Sequence, residues 1–125
     1  MSISIVNTNK AKIPAIDFSA IKNAILGKDY ELTFIITTPA KIRKYNMTYR
    51  GKDEPTDILS FPYSDKNGEI YVCPSETKKE AKKFDRKYDN FFVFLFIHGC
   101  THLKGYDHSA TMESIEVKYR KQFGI

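Results

Sequence analysis

The feature that most constrains this chain is an apolar run of seven residues followed at once by histidines. Residues 91–97 are FFVFLFI, and the segment continues as HGCTHLK to Lys104. At helical spacing this run has no polar face, and a helix that is apolar all round is buried on every side. The sequence therefore predicts a central buried helix over 91–104, ended by Gly105, that carries the histidine motif.

The remaining segments predict the elements that surround this helix. Alternating or β-branched residues predict strands over 2–7, 31–38, 57–62 and 69–73, with a hairpin turn near Asn67-Gly68. Capping residues and helical spacing predict further helices over 17–27, 39–46, 75–88 and 109–123. The inner face of the last helix is expected to carry Met112, Ile115, Tyr119 and Phe123. The sum is an α+β fold, a single domain over 1–125 with about four strands in a mostly mixed sheet and about five helices.

Composition narrows the class of protein. The 125 residues are 42% hydrophobic and 28% charged, which is typical of an ordinary folded domain. The longest apolar run is far shorter than the roughly 20 residues that span a bilayer, and residues 1–9 do not have the pattern of a signal segment. Two cysteines cannot build a disulfide framework, so we expect reduced thiols. The expectation is a cytoplasmic protein, without membrane contact, and a monomer.

All three histidines lie in one short stretch, His98, His102 and His108. Residues four apart stack on one helix face, and the turn after Gly105 can return the third imidazole to the same face. Three imidazoles holding Zn²⁺ with the fourth position left for water is the pattern of a catalytic site, and such a set also accepts Ni²⁺ or Co²⁺. The alternative is that each histidine is a hydrogen-bonded, half-buried structural residue.

Three neighbours of these histidines refine the prediction. Cys100 lies two residues from either helical histidine and therefore points to the far side of the helix, so we exclude it as a ligand. Asp107 could orient an imidazole from behind, or act only as a turn residue. Gly99 stands where the metalloprotease pattern H-E-x-x-H has its glutamate base, which disfavours peptide hydrolysis. Either close helix packing or the approach of a bulky substrate explains a glycine there.

A second motif, YRGKDEPTDILSFP, covers Tyr49 to Pro62. Its glycine, aspartate and proline residues predict a turn-rich loop that carries Arg50, Lys52 and Asp53 and leads into a strand. A guanidinium beside a metal could bind a phosphate through two hydrogen bonds and stabilise its charge. A surface salt bridge is the alternative role of Arg50.

Both motifs resemble those of a known family. The segment HGCTHLKGYDH at 98–108 closely resembles the HGxLHLxGYDH signature of the YbeY family, and YRGKDEPTDILSFP resembles its YRxKDxPTDVLSFP block. The strand GEIYVC at 68–73 is similar to the family's strand between them. The resemblance implies a bacterial metal-dependent endoribonuclease and rRNA maturation factor, with His98, His102 and His108 as zinc ligands and Arg50 as the functional arginine. Thr101 replaces the family's usual leucine, from which we expect only a packing change.

Positive charge supports a polyanionic partner. The formal net charge is +5, but acids interleave the lysines of 78–87, so that cluster is equally well explained as a solvated helix face. A second cluster is less interrupted by acids and contains Tyr45 and Tyr49, whose rings could stack on bases. Its cations are Lys41, Arg43, Lys44, Arg50 and Lys52. Single-stranded RNA is recognised by stacking and phosphate contacts, so we predict an RNA path between Arg50 and the histidines, with Tyr49 on it.

The function predicted from the sequence is a zinc-dependent, single-strand-specific endoribonuclease. The resemblance implies 16S rRNA 3′-end maturation and ribosome biogenesis or quality control, with small-subunit rRNA, the ribosome, ribosomal proteins or an assembly GTPase as partners. Two alternatives stay open. One is a non-enzymatic ribosome-assembly factor with a structural zinc, and the other is a metal hydrolase of another substrate. The sequence does not identify a general base.

Overall fold

The structure is a computed structural model that describes residues 2–106 and 109–125. In these residues the chain forms four strands and five helices. Their order is β1 (Ile3–Asn7), α1 (Phe18–Leu26), β2 (Glu31–Ile36), α2 (Pro39–Arg50), β3 (Ile58–Ser64), β4 (Asn67–Val72), α3 (Pro74–Lys83), α4 (Tyr88–Leu103) and α5 (Ala110–Gln122). The predicted α+β fold is confirmed.

The four strands form one mixed sheet in the order β1-β2-β4-β3. β1 pairs with β2 and β2 pairs with β4 in parallel, whereas β3 pairs with β4 in antiparallel orientation. β3 therefore lies at one edge of the sheet, with one side of its backbone open. The open side matters because the functional motifs converge there.

The two faces of the sheet have different coverings. The face that we call inner packs against α4 and α1, and its buried side chains are Leu32, Phe34, Ile36, Ile70 and Val72. The opposite face, which we call outer, carries α2. Ile42 of this helix packs there in a small buried cluster with Leu59 and Cys73. Alternation along β3 sends Leu59 to the outer face and its neighbours to the inner one.

α4 is the central helix, as predicted. Ten of its residues are buried, and it packs against α1, α3, α5, β3 and β4. It begins at Tyr88, earlier than the expected start at Phe91. The predicted charged helix over 75–88 is correspondingly shorter and ends at Lys83, because the chain turns at Asp85, whose φ of 53° is incompatible with a continuing helix. No helix in the described part of the chain is long and apolar enough to cross a membrane.

Two further boundaries differ from the expectation. α2 continues past Asn46 to Arg50, where Gly51 ends it in the left-handed conformation at φ 70°. The hairpin turn lies at 65–66, so Asn67 and Gly68 belong to β4. A Cβ on Gly68 would lie 2.4 Å from Tyr30 Oη and 2.9 Å from the Phe61 carbonyl oxygen. The glycine of Asn67-Gly68 therefore allows close packing within the sheet, not a turn.

Candidate metal centre and cleft

His98 and His102 lie on successive turns of α4, with ring centroids 4.7 Å apart and ring planes nearly perpendicular at 86°. The helix backbone can approach the sheet because Gly99 lies between them. A Cβ at Gly99 would be 3.0 Å from Ile70 Cδ1, 3.1 Å from Ser60 Oγ and 3.2 Å from Ile58 Cδ1. Close packing thus accounts for Gly99, and it holds the two imidazoles beside edge strand β3.

Each imidazole is oriented by a partner at Nδ1. Nδ1 of His98 lies 2.5 Å from Oε1 of Glu116, a residue of α5 that is only 4% exposed. Nδ1 of His102 lies 3.0 Å from the Tyr106 carbonyl oxygen. A carbonyl oxygen only accepts, so Nδ1–H of His102 donates, and in the neutral ring the lone pair is on Nε2. Metal-binding histidines are held in this way, by a carboxylate or carbonyl behind the ring.

The donor chemistry of this pair therefore fits a divalent metal bound through Nε2. The third predicted ligand, His108, and the predicted orienting residue Asp107 lie outside the described residues. Within 2–106 and 109–125, no group of three or more His, Cys, Asp or Glu side chains is arranged to hold a metal ion. The three-histidine site stays a prediction. Cys100 is fully buried in the main core, where burial raises the pKa of its thiol.

A cleft of about 700 Å³ runs along β3 beside the histidines. Its wall on the α4 side contains His98 and His102, and on the α2 side Tyr49 and Arg50. The residues between them are those of 56–62, mostly β3. The second motif and the histidine motif, predicted separately from the sequence, thus meet in one cleft.

Arg50 reaches this cleft from a helix. The sequence predicted it on a turn-rich loop, but it occupies the last turn of α2, where it is exposed. Thr38 caps the start of α2, and the Gly51 N–H bonds back to Asn46 and Met47 carbonyl oxygens. The helix therefore ends at Gly51, one turn further than the predicted end at Asn46. The guanidinium is consequently attached to a regular element.

The predicted RNA-binding cations are not equivalent. Arg43 makes a paired contact with Asp53, with Nε–Oδ1 at 2.8 Å and Nη2–Oδ2 at 3.2 Å. Asp53 thus largely neutralises the charge of Arg43, whereas the sequence predicted a cluster of cations with few acids among them. Lys41 and Lys44 are exposed on α2, and Lys52 lines a smaller cleft of about 470 Å³ that also contains Arg50. Among the described residues, no salt bridge involves these three lysines.

Sequence reasoning missed two carboxyl groups near the site. Glu116 lies on the inner face of α5, four residues after buried Met112, and an acid in that position was a detectable signal. Asp57 lines both clefts together with Arg50. Burial raises the pKa of Asp57 above its ordinary range, and the neighbouring charge of Glu80 adds to this effect. Asp57 stood in the second motif, but nothing in its local sequence indicates burial.

Fold and site together define a class of small α+β proteins whose central helix carries paired histidines to a cleft at the sheet edge. A family model described as Endoribonuclease YbeY matches residues 3–123, and the chain belongs to the YbeY family. The resemblance found in the two motifs is therefore confirmed.

Individual relatives agree with this assignment. The chain is 34% identical over 96 residues to a protein of Thermotoga maritima and 34% identical over 110 residues to one of Colwellia psychrerythraea, both named Endoribonuclease YbeY. These matches cover 75% and 78% of this chain, and 64% and 71% of the relatives. The chain spans 60% of the Thermotoga neapolitana relative, at 35% identity over 70% of this chain. A solution structure of a Thermotoga maritima protein matches with a TM-score of 0.67 and 29% identity, over 98% of this chain and 89% of that one.

Proposed function

We propose that this protein is a metal-dependent endoribonuclease that cleaves single-stranded RNA in the cleft along β3. The observation that carries the proposal is the meeting of two chemistries in one cleft. Histidines whose Nδ1 atoms are held from behind line it from α4, and Arg50 lines it from α2. The names of the relatives support the same activity.

In this proposal His98, His102 and His108 hold one Zn²⁺, or Ni²⁺ or Co²⁺, and Asp107 orients an imidazole. When bound, the metal supplies Lewis-acid activation of water and of the phosphodiester. Glu116 and the Tyr106 carbonyl keep the helical imidazoles in the orientation and tautomer that ligation needs. Arg50 binds the phosphate and stabilises its charge as the bond is broken.

RNA reaches the cleft across a surface on α2 and the segment after it. Tyr49 lies at the cleft and is 65% exposed, so its ring is accessible to a base. Lys41, Lys44 and Lys52 contribute exposed charge for phosphates, whereas Arg43 contributes less because Asp53 neutralises it. We infer that the substrate is small-subunit rRNA, with 16S 3′-end maturation as the step. A cytoplasmic monomer that meets the ribosome, ribosomal proteins or an assembly GTPase fits this role.

The test separates metal binding from phosphate binding. His98→Ala and His102→Ala should each remove bound zinc and abolish cleavage of a labelled single-stranded RNA. Arg50→Ala should keep the zinc and lower cleavage by about 10-fold or more, because a charge-assisted contact to the phosphate is lost. Zinc content is measured on protein purified without a histidine tag or chelator, and circular dichroism checks the fold.

Two control variants accompany these measurements. Tyr88→Phe changes α4 far from the cleft and removes only a hydrogen bond to the Lys12 carbonyl oxygen, so both zinc and cleavage should be retained. Lys28→Ala removes one exposed positive charge outside the cleft, so it is the charge-matched control for Arg50→Ala. Undiminished cleavage in the metal-free histidine variants would overturn the enzyme proposal. Zinc that is retained by the wild-type protein without any RNA cleavage would favour a non-enzymatic assembly factor.

A further inference from the structure

Five aromatic residues lie together on the outer face of the sheet and the adjoining side of α2, and four of them are in ring-to-ring contact. Tyr49 packs on Phe61 with ring centroids 4.9 Å apart, Phe61 on Tyr71 at 5.7 Å, and Tyr71 on Tyr45 at 4.9 Å. Tyr63 joins them from the end of β3 through Glu69. We call this set the aromatic strip: Tyr45, Tyr49, Phe61, Tyr63 and Tyr71. None of these rings belongs to the main core under α4.

The strip is accessible at both of its ends. Tyr49 is 65% exposed and Tyr63 is 62% exposed. Glu69, the acid within the strip, accepts two hydrogen bonds from tyrosines. The hydroxyls of Tyr63 and Tyr71 both donate to its Oε1, at 2.5 Å and 3.0 Å. The hydrogen bond to Glu69 raises the pKa of Tyr63 to about 12. The same hydrogen bond holds the Tyr63 side chain in place.

The strip is continuous with the cleft. Tyr49 and Phe61 line the cleft together with His98 and His102, and both also belong to the strip. The cleft and the aromatic strip meet at β3, along the open edge of the sheet. A polymer bound in the cleft can therefore continue over β3 onto the outer face without crossing a ridge of α4.

The charge beside the strip indicates which polymer this is. Lys41, Tyr45 and Tyr49 follow one another at intervals of four residues and so share one side of α2. Lys44 lies one residue before Tyr45 and is exposed. No salt bridge occupies either lysine among the described residues. Aromatic faces bordered by unmatched cations suit a single-stranded nucleic acid, whose bases stack and whose phosphates are anionic.

We propose that the aromatic strip binds the bases of single-stranded RNA that extends from the cleft over edge strand β3. This inference rests on the proposed function, since it extends the path of the same substrate. It adds a second subsite, on the opposite face of the sheet from the histidines. In that subsite Tyr63 presents its ring to a base beyond those held in the cleft.

The test uses the full chain and a single-stranded RNA oligonucleotide of about 12 nucleotides, with EDTA present to remove the metal on which cleavage depends in the proposed function. Tyr63→Leu should weaken binding, measured by fluorescence anisotropy, by about 5-fold or more, because stacking on one base is lost. Tyr63→Phe keeps the ring and should bind within about 2-fold of wild type. An abasic oligonucleotide of equal length should bind weakly, and Tyr63→Leu should not change its affinity.

A matched control is available on another part of the surface. Phe84 is 59% exposed and packs beside Phe91 at the end of α3, so Phe84→Leu removes a comparable ring outside the strip. It should leave oligonucleotide binding unchanged. Because the Tyr63 side chain is largely exposed, Tyr63→Leu should fold normally. Thermal melting of the variant checks this.

Failure of the strip and failure of the enzyme proposal are distinguishable. If Tyr63→Leu binds the oligonucleotide like wild type, the strip proposal is overturned, whether or not RNA is cleaved in the cleft. It is also overturned if Tyr63→Leu and Tyr63→Phe lose affinity equally, since the hydroxyl and not the ring would then matter. A strip that serves a protein partner would leave oligonucleotide binding insensitive to Tyr63. Ring-dependent binding without any cleavage by wild type would support the strip and overturn only the nuclease.

Discussion

Glu116 on α5 holds His98 on α4 through a contact of 2.5 Å between Oε1 and Nδ1, and it does so while almost fully buried. A carboxylate behind an imidazole fixes the ring and raises the basicity of the other nitrogen. We therefore predict that Glu116→Gln lowers zinc affinity by about 10- to 100-fold, the usual effect of losing such a partner. Competition with a chelator of known affinity measures it.

Glu113→Gln provides the matched control for this prediction. Glu113 lies one turn earlier on α5, is 65% exposed and pairs with Arg120, so its substitution should leave zinc affinity unchanged. Equal affinities in wild type and Glu116→Gln would show that the carboxylate has only a packing role.

The Asp57 carboxyl predicts a dependence of stability on pH. Its pKa is raised in the folded protein, chiefly by burial and then by Glu80, although Lys83 and Arg50 also face this region. The folded state therefore binds more protons than the unfolded state in the window just above the ordinary pKa of about 4. The contribution of Asp57 to stability is favourable at acid pH and falls as pH rises through that window.

Asp57→Asn should accordingly raise the free energy of unfolding near neutral pH, with no gain below about pH 4, where the carboxyl is protonated in both states. Urea denaturation at several pH values measures the difference. Asp65→Asn, at the exposed hairpin turn, should show no such pH-dependent gain. A stabilisation of Asp57→Asn that is equal at all pH values would contradict the burial argument.

At Gly68 we predict that a single added methyl group lowers the free energy of unfolding. A Cβ there would meet Tyr30 Oη at 2.4 Å and the Phe61 carbonyl oxygen at 2.9 Å. Gly68→Ala should lower the free energy of unfolding by about 1–3 kcal/mol, the range for overpacking. Adding Tyr30→Phe should recover only part of the loss, because the backbone oxygen remains. Chemical denaturation checks this with Tyr30→Phe as the reference for the double variant, and a double variant as stable as Tyr30→Phe alone would be inconsistent with the backbone clash.

For Tyr30→Phe alone we predict the opposite change, a rise in the free energy of unfolding. The Tyr30 hydroxyl is buried and has no hydrogen-bond partner among the described residues. Removing a buried, unsatisfied hydroxyl should raise the free energy of unfolding by about 1 kcal/mol. Tyr88→Phe, which removes a hydroxyl that does have a partner, is the comparison and should not be stabilised. A destabilised Tyr30→Phe would indicate that the hydroxyl is bonded in solution.

The central helix and its histidine pair could be predicted because both depend on local spacing. An apolar run without a polar face has no other stable place than the interior, and residues at i and i+4 share a face in any helix. The start of α5 could likewise be predicted, because serine is a common helix cap. In the structure Ser109 accepts a hydrogen bond from Met112 N–H. These signals survive in any tertiary environment.

What could not be predicted depends on contacts between distant segments. The Glu116–His98 contact joins residues 18 apart in the chain, and it exists only because α5 packs on α4. Arg43 and Asp53 are paired across the end of α2, which the sequence placed four residues too early. Local propensity does not report such pairings, although Gly51 was a usable stop signal for the helix.

Edge strand β3 has a consequence for how the protein meets other copies of itself. An open strand edge ordinarily offers its backbone to another strand, which leads to association or aggregation. Here Pro62 has no N–H to donate, and the pairing of β3 shifts register between Pro62 and Ser64. The edge that forms the wall of the cleft is therefore a poor template for strand addition, so it can stay uncovered for a ligand without recruiting a second sheet.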